Sequence, residues 1–289
     1  MINIQKQRRK RARLNFKKLN DISLRNQATI ISLLNNDIPA GTEYIMTLIK
    51  KLDEGKKLYR FRPPESYEVK ALKELNIYLS CASGFNDNSD CRIVFALQSF
   101  LSDNPSLPKK TLEARIANNP KYQEALETFR RETLVACFSQ NYSEYMWKEY
   151  ANKHTGFCLE YDIEKIAKYL DLQVSKPLLM PVRYVPDRSQ DPHIMVTRAD
   201  RPTETCDKCF RKCLLACVTK DEEPYYKEGE WRIMIKYAEL KPTDNGILYP
   251  FIKPERIVLG SNISASLEKD IIDATIFHQI PFVKESDIA

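Results

Sequence analysis

The residues with the clearest chemical potential are two carboxylates, Glu228 and Glu230, which stand just before the apolar run Trp231–Ile235. In a strand, residues i and i+2 point to the same face, so the spacing predicts that both carboxylates face one side. Such a pair can transfer protons or stabilise a developing cation. An ordinary polar strand edge is the alternative, and the spacing alone does not distinguish the two.

The elements that would position these residues mix without the regular alternation of a doubly wound sheet. Strands are expected at 58–62, 77–81, 134–139, 156–161, 231–237 and 256–259, and helices at 64–75, 144–154, 203–220 and 267–277. This irregular mixture predicts an α+β fold. Several common signatures are missing (GxGxxG, the P-loop, HExxH and GxSxG), which counts against Rossmann dehydrogenases, P-loop NTPases, zincins and α/β-hydrolases.

Composition sets the size of the core and the cellular context. The chain has 289 residues, of which 43% are hydrophobic, enough for one domain with an appendage or for two small domains. We expect a basic, helical extension over residues 1–55 and a core domain over residues 56–289. No apolar run approaches the roughly 18 residues of a spanning helix, and no apolar segment of a secretion signal follows the basic N-terminus. The prediction is a cytoplasmic protein without membrane contact.

A basic run near the N-terminus supplies much of the net charge of +6. Such runs usually form solvated arms, and the alternative is a salt-sensitive contact with nucleic acid that does not depend on sequence. The residues that would make this contact are Arg8, Arg9, Lys10, Arg11 and Arg13.

Four of the eight cysteines follow the spacing of one helix face: Cys206, Cys209, Cys213 and Cys217. They would span about 16 Å at 1.5 Å per residue, too far for all four to share one ion. Cys206 and Cys209 could share one only in a turn that is not helical, with other ligands such as His193. A buried apolar face, a metal site and a redox function all stay open for this helix, which we expect at about 203–220.

Five short motifs in order carry a family resemblance. They are Leu58–Arg62, Phe85-Asn86-Asp87-x2-Asp90, Cys137-Phe138-Ser139, Met146-Trp147-x2-Tyr150-Ala151-x2-His154-x-Gly156 and Glu228-x-Glu230-Trp231-Arg232. The combination resembles an uncharacterised bacterial family, domain-of-unknown-function family 2971, over roughly residues 57–236. This resemblance by itself implies no activity.

The stretch Tyr59–Glu65 carries a looser second resemblance, to ADP-ribosyltransferases of the arginine–serine–glutamate type. That resemblance implies that Arg60 binds NAD phosphate, that Ser139 orients the catalytic strand and that Glu230 stabilises the oxocarbenium-like transition state. Glu228 would position or deprotonate an acceptor. The further NAD-binding residues it implies are Arg62, Asn86, Asp87, Trp147 and Tyr226. The chain departs from that family in having Cys-Phe-Ser where Ser-Thr-Ser is usual, and in a long gap from Arg60 to Glu230.

The leading hypothesis is therefore an NAD-consuming transferase or NAD glycohydrolase on a split, mixed or antiparallel sheet, with no metal. Its acceptor would be an unknown protein or nucleic acid, and its role that of a bacterial toxin, effector or phage-defence protein. One rival is a nucleic-acid-binding protein or nuclease whose Asp87, Asp90, Glu228 and Glu230 hold Mg²⁺. Another is a non-catalytic interaction module in which Trp147, Trp231 and the cysteine face form core or interface.

Overall fold

A computed structural model describes most of the chain from residue 57 onwards. The described residues are 44, 47, 57–85, 87, 90–95, 106, 108–173, 177–191, 194–196, 207–236 and 245–288. Of the predicted N-terminal extension, Tyr44 and Thr47 are described; both are helical, and Tyr44 packs against the main core. The basic residues Arg8, Arg9, Lys10, Arg11 and Arg13 lie outside the described residues, as do Asn86, His193 and Cys206.

Strands and helices alternate irregularly along the described chain. The strands are β1 (Lys57–Arg62), β2 (Asn76–Cys81), β3 (Val94–Phe95), β4 (Thr133–Ser139), β5 (Phe157–Asp162), β6 (Leu178–Pro181), β7 (Arg183–Val185), β8 (Met195–Val196), β9 (Thr219–Asp221), β10 (Glu230–Lys236), β11 (Gly246–Pro250), β12 (Arg256–Leu259) and β13 (Phe282–Lys284). The helices are α1 (Ser66–Lys73), α2 (Lys109–Ala117), α3 (Pro120–Glu132), α4 (Glu144–Tyr150), α5 (Ile163–Asp171), α6 (Asp207–Ala216) and α7 (Ala265–Thr275). The predicted α+β class is confirmed.

The main sheet forks at β4. Strand β10 pairs with β4 along its whole length, from Thr133 to Ser139, and so occupies one edge of that strand. The other edge is shared: β2 pairs with Leu134 and Val135, and β1 pairs at Ser139. Beyond the fork, β11 pairs with β2, while β5, β12 and β13 extend the sheet from β1. Within this sheet the described pairs are antiparallel except β12 with β13, so the sheet is mixed and split. The parallel pairs β3–β8 and β7–β9 form two separate small sheets.

The two faces of the forked strands differ in burial. We call one the sealed face; it carries the buried side chains Leu58, Arg60, Leu79, Leu134, Ala136 and Phe138. We call the other the open face; it carries the partly exposed side chains Tyr59, Tyr78, Ser80 and Cys137. Cross-strand pairing fixes this assignment, because Tyr59 and Glu230 both pair with Ser139, and directly opposed residues project to the same face.

Helix α4 covers part of the open face. Its Met146 and Trp147 pack with Phe61, Cys158 and Val258 of the β1, β5 and β12 region. The helix begins at Ser143, whose hydroxyl accepts a hydrogen bond from Met146 N and thereby caps the first turn. Tyr59 of the open face packs against this same group of residues, and Tyr150 is the last residue of α4.

Most predicted elements are present in the structure, with two informative differences in length. The helix expected at 144–154 ends at Tyr150, because Asn152, Lys153 and His154 all have positive φ angles that cannot continue a right-handed helix. The helix expected at 203–220 is α6, and the chain then forms the short strand β9.

Within the described residues, no helix is both long and apolar enough to cross a bilayer.

Candidate functional site

Glu228 and Glu230 lie on either side of a sharp change in backbone direction. Glu228 ends a 3₁₀ turn that starts at Tyr225, and Glu230 is the first residue of β10. Between them Gly229 adopts φ +51°, and a Cβ atom there would lie 2.6 Å from Asn141 Nδ2. Both the φ angle and the close contact therefore require glycine. The two carboxylates do face one site as predicted, but through this turn and not through strand alternation.

Arg232 organises the interior of that site. It is buried, with 1% of its surface exposed. Its Nε and Nη2 atoms donate to Glu230 Oε1 (2.8 Å) and Oε2 (3.1 Å), and its Nη1 and Nη2 atoms donate to Asp90 Oδ1 (2.8 Å) and Oδ2 (2.7 Å). The guanidinium thus binds two carboxylates, each with two hydrogen bonds, the geometry for which an arginine fork is suited. Burial acts to lower the pKa of Arg232, but Asp90 and Glu230 outweigh it and raise the pKa above its ordinary value.

Lys220 connects the two glutamates. Its ammonium donates to Glu228 Oε2 at 2.8 Å and to Glu230 Oε2 at 3.1 Å, and it lies 4.0 Å from Asp90 Oδ2. Burial would lower the pKa of Lys220, yet the negative charges of Glu230 and Glu228 raise it, so the lysine is charged. We call Asp90, Lys220, Glu228, Glu230 and Arg232 the charge cluster. It joins three carboxylates to two cations, and Arg188 also lies within electrostatic reach of Asp90.

The two glutamates differ in their electrostatic surroundings. Burial acts to raise the pKa of Glu230, but the charges of Arg232 and Lys220 outweigh it and hold the pKa well below the ordinary range. Burial also raises the pKa of Glu228, Glu230 raises it further, and Lys220 offsets only part of this. The site therefore contains one firmly ionised carboxylate and one whose proton affinity is elevated. Environments that separate the pKa values of two neighbouring acids are typical of acid–base sites.

Tyr150 closes the outer side of Glu228. Its hydroxyl donates to Glu228 Oε1 at 2.5 Å, although 41% of the residue is exposed. The three carboxylates are about equally buried, with 4% exposed for Glu228, 5% for Asp90 and 6% for Glu230. Glu228 differs in that one of its partners, Tyr150, reaches the surface. The Tyr225 ring lies nearby, with its centroid 4.5 Å from Lys220 Nζ, and Lys227 Nζ lies 5.7 Å from the Tyr145 ring centroid. Tyr145, Tyr150 and Tyr225 all lie near Glu228.

Ser139 reaches the site through the backbone of Glu228. Its Oγ atom lies 2.5 Å from the Glu228 carbonyl oxygen, to which it donates, and it accepts a hydrogen bond from Asn141 N at 2.8 Å. Asn141 in turn donates from Nδ2 to the Lys227 carbonyl at 2.9 Å. The structure thus brings Ser139 together with Glu228 and Glu230, where it fastens the turn that carries the first glutamate.

Arg60 is not brought together with these residues. It lies on the sealed face, where its guanidinium sits 5.7 Å from the Phe138 ring centroid and Nη2 donates to the Tyr78 carbonyl at 3.0 Å. This places Arg60 inside the fork between β1 and β2. Its Nη1 atom is buried with no hydrogen-bond partner, and burial lowers its pKa. The expected convergence of Arg60, Ser139 and Glu230 around one ligand is therefore absent from this structure.

The other predicted NAD-binding residues are dispersed. Arg62 pairs with Glu68 of α1, and burial together with nearby Arg60 lowers its pKa to about 9. Trp147 is 1% exposed and stacks on His154, so its ring is not available to a ligand in this arrangement. Tyr226 is partly exposed, and the Lys227 ammonium lies 5.8 Å from its ring centroid.

Asp87, a second described acidic residue near the cluster, contacts one of the tyrosines. It forms a side-chain hydrogen bond with Tyr225, whose pKa is raised by burial and by this carboxylate. Asp90, from the same motif, is held by Arg232. In this geometry Asp90 and Glu230, two carboxylates of the Mg²⁺ alternative, are already paired with Arg232 and Lys220.

The described part of the cysteine series is buried, as one of the three alternatives predicted. Cys213 and Cys217 are 5% and 0% exposed, and the Cys217 carbonyl oxygen accepts a hydrogen bond from Arg232 Nη1 at 2.7 Å. Cys206 and the side chain of Cys209 lie outside the described residues. Whether the full series binds a metal stays a prediction without a test.

One group among the described residues has ligand atoms close enough for a metal ion: Glu144, His154 and Glu285. The carboxylates approach different nitrogens, however. His154 Nδ1 lies 2.9 Å from Glu285 Oε2, and Nε2 lies 3.3 Å from Glu144 Oε1. Because the two ring nitrogens point in different directions, one ion cannot take the place of both contacts. We interpret the group as an ion-paired clamp on the turn after α4.

Sequence reasoning missed Lys220 and the role of Tyr150. Lys220 follows the cysteine helix without any motif, and its importance depends on β9 lying against the turn that carries Glu228. Tyr150 was noticed only as part of the motif around Trp147. A signal was present, since Tyr150 is three residues after the buried Trp147 and four before His154, at the end of a helix anchored on both sides of it.

Comparison with known families confirms the first resemblance. Residues 146–233 match a family described as a protein of unknown function, DUF2971. The matched segment begins within α4 and ends within β10, so it includes Tyr150, Lys220, Glu228, Glu230 and Arg232. No curated protein and no solved structure matches the chain. The resemblance to ADP-ribosyltransferases stays a prediction.

Proposed function

We propose that this protein is an enzyme that cleaves the bond between ribose and a cationic base, with NAD as the substrate and Glu228 as the carboxylate that faces it. ADP-ribose would pass either to water or to a second acceptor. This proposal keeps the chemistry that the sequence suggested but moves its centre from Glu230 to Glu228.

The observation that carries the proposal is the difference in hydrogen bonding between Glu228 and Glu230. Glu230 accepts hydrogen bonds from Arg232 Nε, Arg232 Nη2 and Lys220 Nζ. Glu228 accepts one bond at each oxygen, from Tyr150 and Lys220. A carboxylate offers about four acceptor positions, so Glu228 retains capacity that Glu230 has largely used. In its ionised form, a carboxylate with spare acceptor capacity suits a transition state in which positive charge develops on a sugar carbon.

The surroundings of Glu228 supply the surface that a planar base needs. Tyr150 and the partly exposed Tyr145 and Tyr225 border the carboxylate. Aromatic faces attract cationic rings, which favours a substrate whose leaving group is positively charged before the bond breaks.

The proposed step breaks the C1′–N bond of the nicotinamide riboside. The bonding pair leaves with nicotinamide, which becomes neutral, and C1′ becomes an oxocarbenium-like centre opposite the Glu228 carboxylate. An acceptor hydroxyl then forms the new C1′–O bond and gives its proton to Glu228, whose raised pKa suits a general base. With water as acceptor the products are nicotinamide, ADP-ribose and one proton.

The other charged residues have supporting roles in this proposal. Glu230, Asp90 and Arg232 form the internal frame that fixes Lys220, and Lys220 orients Glu228. Ser139 holds the Glu228 backbone. Arg60 has no part in the proposed site, because it occupies the sealed face.

The test is the release of nicotinamide from NAD by the purified full-length protein, with products identified by mass spectrometry. Glu228→Gln is expected to lower the rate at least about 100-fold, the usual cost of removing one electrostatic or acid–base contribution. Glu222→Gln is the matched control, since it makes the same chemical change at an exposed position six residues earlier. A wild-type protein that releases no nicotinamide, or a Glu228→Gln protein with full activity, would contradict the proposal.

A further inference from the structure

We infer that Tyr150 is the positioning residue for Glu228, fixing the carboxylate toward the substrate through its hydroxyl. The inference deepens the proposed function and rests on it for its kinetic consequence. Its structural part, the coupling of the Tyr150 hydroxyl to the Glu228 carboxylate, can be measured without any substrate.

The geometry of the contact carries the inference. The Tyr150 hydroxyl donates to Glu228 Oε1 at 2.5 Å, in the range of a short charge-assisted O–H···O⁻ bond. Lys220 Nζ holds the other oxygen, Oε2, at 2.8 Å. With one donor at each oxygen, the plane and direction of the carboxylate are defined from two sides. Without the tyrosine hydroxyl, Oε1 would lose its donor, and the Glu228 carboxylate could rotate about its remaining hydrogen bond to Lys220.

Tyr150 itself is held by the anchoring of α4. One turn before it, Trp147 is buried against residues of the β1, β5 and β12 region. After Tyr150 the chain turns back at His154, whose ring stacks on Trp147 at a centroid distance of 5.7 Å. His154 is bonded in turn to Glu285. The end of the helix is therefore fixed on the sheet, which allows one partly exposed tyrosine to place its hydroxyl reproducibly.

Several charged and titratable groups face Glu228 from the neighbouring elements. They are Tyr145 and Tyr150 of α4, Tyr184 of β7, Lys220 of β9, Tyr225 of the 3₁₀ turn and Glu230 of β10. Burial and the charge of Glu230 raise the pKa of Glu228, while Lys220 and the Tyr150 hydrogen bond act in the opposite direction. Loss of the Tyr150 hydroxyl should consequently raise the Glu228 pKa further.

The experiment compares wild type, Tyr150→Phe and the control Tyr67→Phe, which alters a tyrosine that is 58% exposed on α1. The first readout is the pH titration of the Glu228 carboxyl carbon by NMR of protein labelled in its glutamate side chains, assigned with Glu228→Gln. The second readout is the pH dependence of kcat/KM for nicotinamide release. We expect Tyr150→Phe to raise the Glu228 titration midpoint by about one pH unit. The fall of kcat/KM at low pH should shift upward by the same amount, so kcat/KM below the midpoint should be about tenfold lower than in wild type.

The outcomes separate the inference from the proposed function. An unchanged Glu228 titration in Tyr150→Phe overturns the inference, even where the enzyme is active. An upward shift of the titration without any nicotinamide release from wild type overturns the proposed function and supports the coupling. A rate that falls equally at every pH, with no shift of the limb, would mean that Tyr150 has a structural role alone and would also overturn the inference.

Discussion

Two buried arginines on opposite faces of the forked sheet show how differently this fold treats the same side chain. Arg232 lies on the open face, where Asp90 and Glu230 raise its pKa. Arg60 lies on the sealed face, where burial lowers its pKa and its hydrogen-bond partner is the Tyr78 carbonyl. Their exposures are close, at 1% and 7%. Burial alone therefore says little about function, and the partners decide what each guanidinium does.

The difference locates the chemistry on one face. Arg232 belongs to the charge cluster, which also contains Lys220 and Glu228. Tyr150, which bonds to Glu228, reaches the surface beside that cluster. Arg60 has no carboxylate partner in the described structure. It lies where β1 and β2 diverge from β4, and it donates a hydrogen bond to the Tyr78 carbonyl. We interpret Arg60 as a residue that stabilises the fork, and the charge cluster as the functional site.

The largest effect is expected from removal of the cluster arginine. Arg232→Met should lower the free energy of unfolding by about 3–5 kcal/mol, because Asp90 and Glu230 would remain buried without their main counter-ion. Urea denaturation followed by circular dichroism measures this directly. A loss under about 1 kcal/mol would show that the cluster is not the tightly coupled unit described here.

The next effect is a pH dependence that separates the two glutamates. The pKa of Glu230 is lowered by folding, so its contribution to stability is present above the unfolded value of about 4.3 and is lost as the pH falls through the folded pKa. Glu230→Gln should thus cost about 2 kcal/mol at pH 7 and progressively less in acid. The pKa of Glu228 is raised instead, so its ionisation opposes folding, and Glu228→Gln should leave stability at pH 7 unchanged or improved.

Urea unfolding of both glutamine variants at pH 7 and at pH 4 checks this contrast. Equal losses for Glu228→Gln and Glu230→Gln at pH 7 would contradict the assignment of one carboxylate to the frame and the other to the substrate.

A smaller effect is expected from the arginine in the fork. Arg60→Met keeps most of the apolar stem against Phe138 and removes the hydrogen bond to the Tyr78 carbonyl, for a loss of about 1 kcal/mol. Thermal or urea unfolding gives the value, and Arg232→Met serves as the paired comparison. If the two substitutions cost the same, the distinction between the two faces is wrong.

The smallest effect is expected at His154, a partly exposed counterpart of the buried ion pairs. Burial acts to lower its pKa, but Glu285 and Glu144 outweigh it and raise the pKa. Its contribution to stability is therefore present below the unfolded value of about 6.5 and is lost as the pH rises through the folded pKa. His154→Gln should cost under about 1 kcal/mol at pH 5.5 and less at pH 9. A loss that grows with pH would reverse this sign and refute the clamp.

The sequence was informative where the signal was local and misleading where it depended on pairing. The short runs at 58–62 and 134–139 predicted β1 and β4 correctly, because brief stretches rich in apolar residues are typical of strands. The closeness of Glu228 and Glu230 was predicted as well, though its cause is the left-handed Gly229. The opposite faces of Arg60 and Glu230 were not predictable, because they depend on the register of β1 and β10 with Ser139. The role of Lys220 was not predictable either, because its ammonium reaches the two glutamates only through the position of β9.

The most direct test of the account is the rate of nicotinamide release by Glu228→Gln and by Arg60→Met, measured beside wild type under the same conditions. Our account predicts a loss of at least about 100-fold for the first variant and a rate close to wild type for the second. Full activity in Glu228→Gln, or a large loss confined to a correctly folded Arg60→Met, would contradict it and return the chemistry to the other face of the sheet.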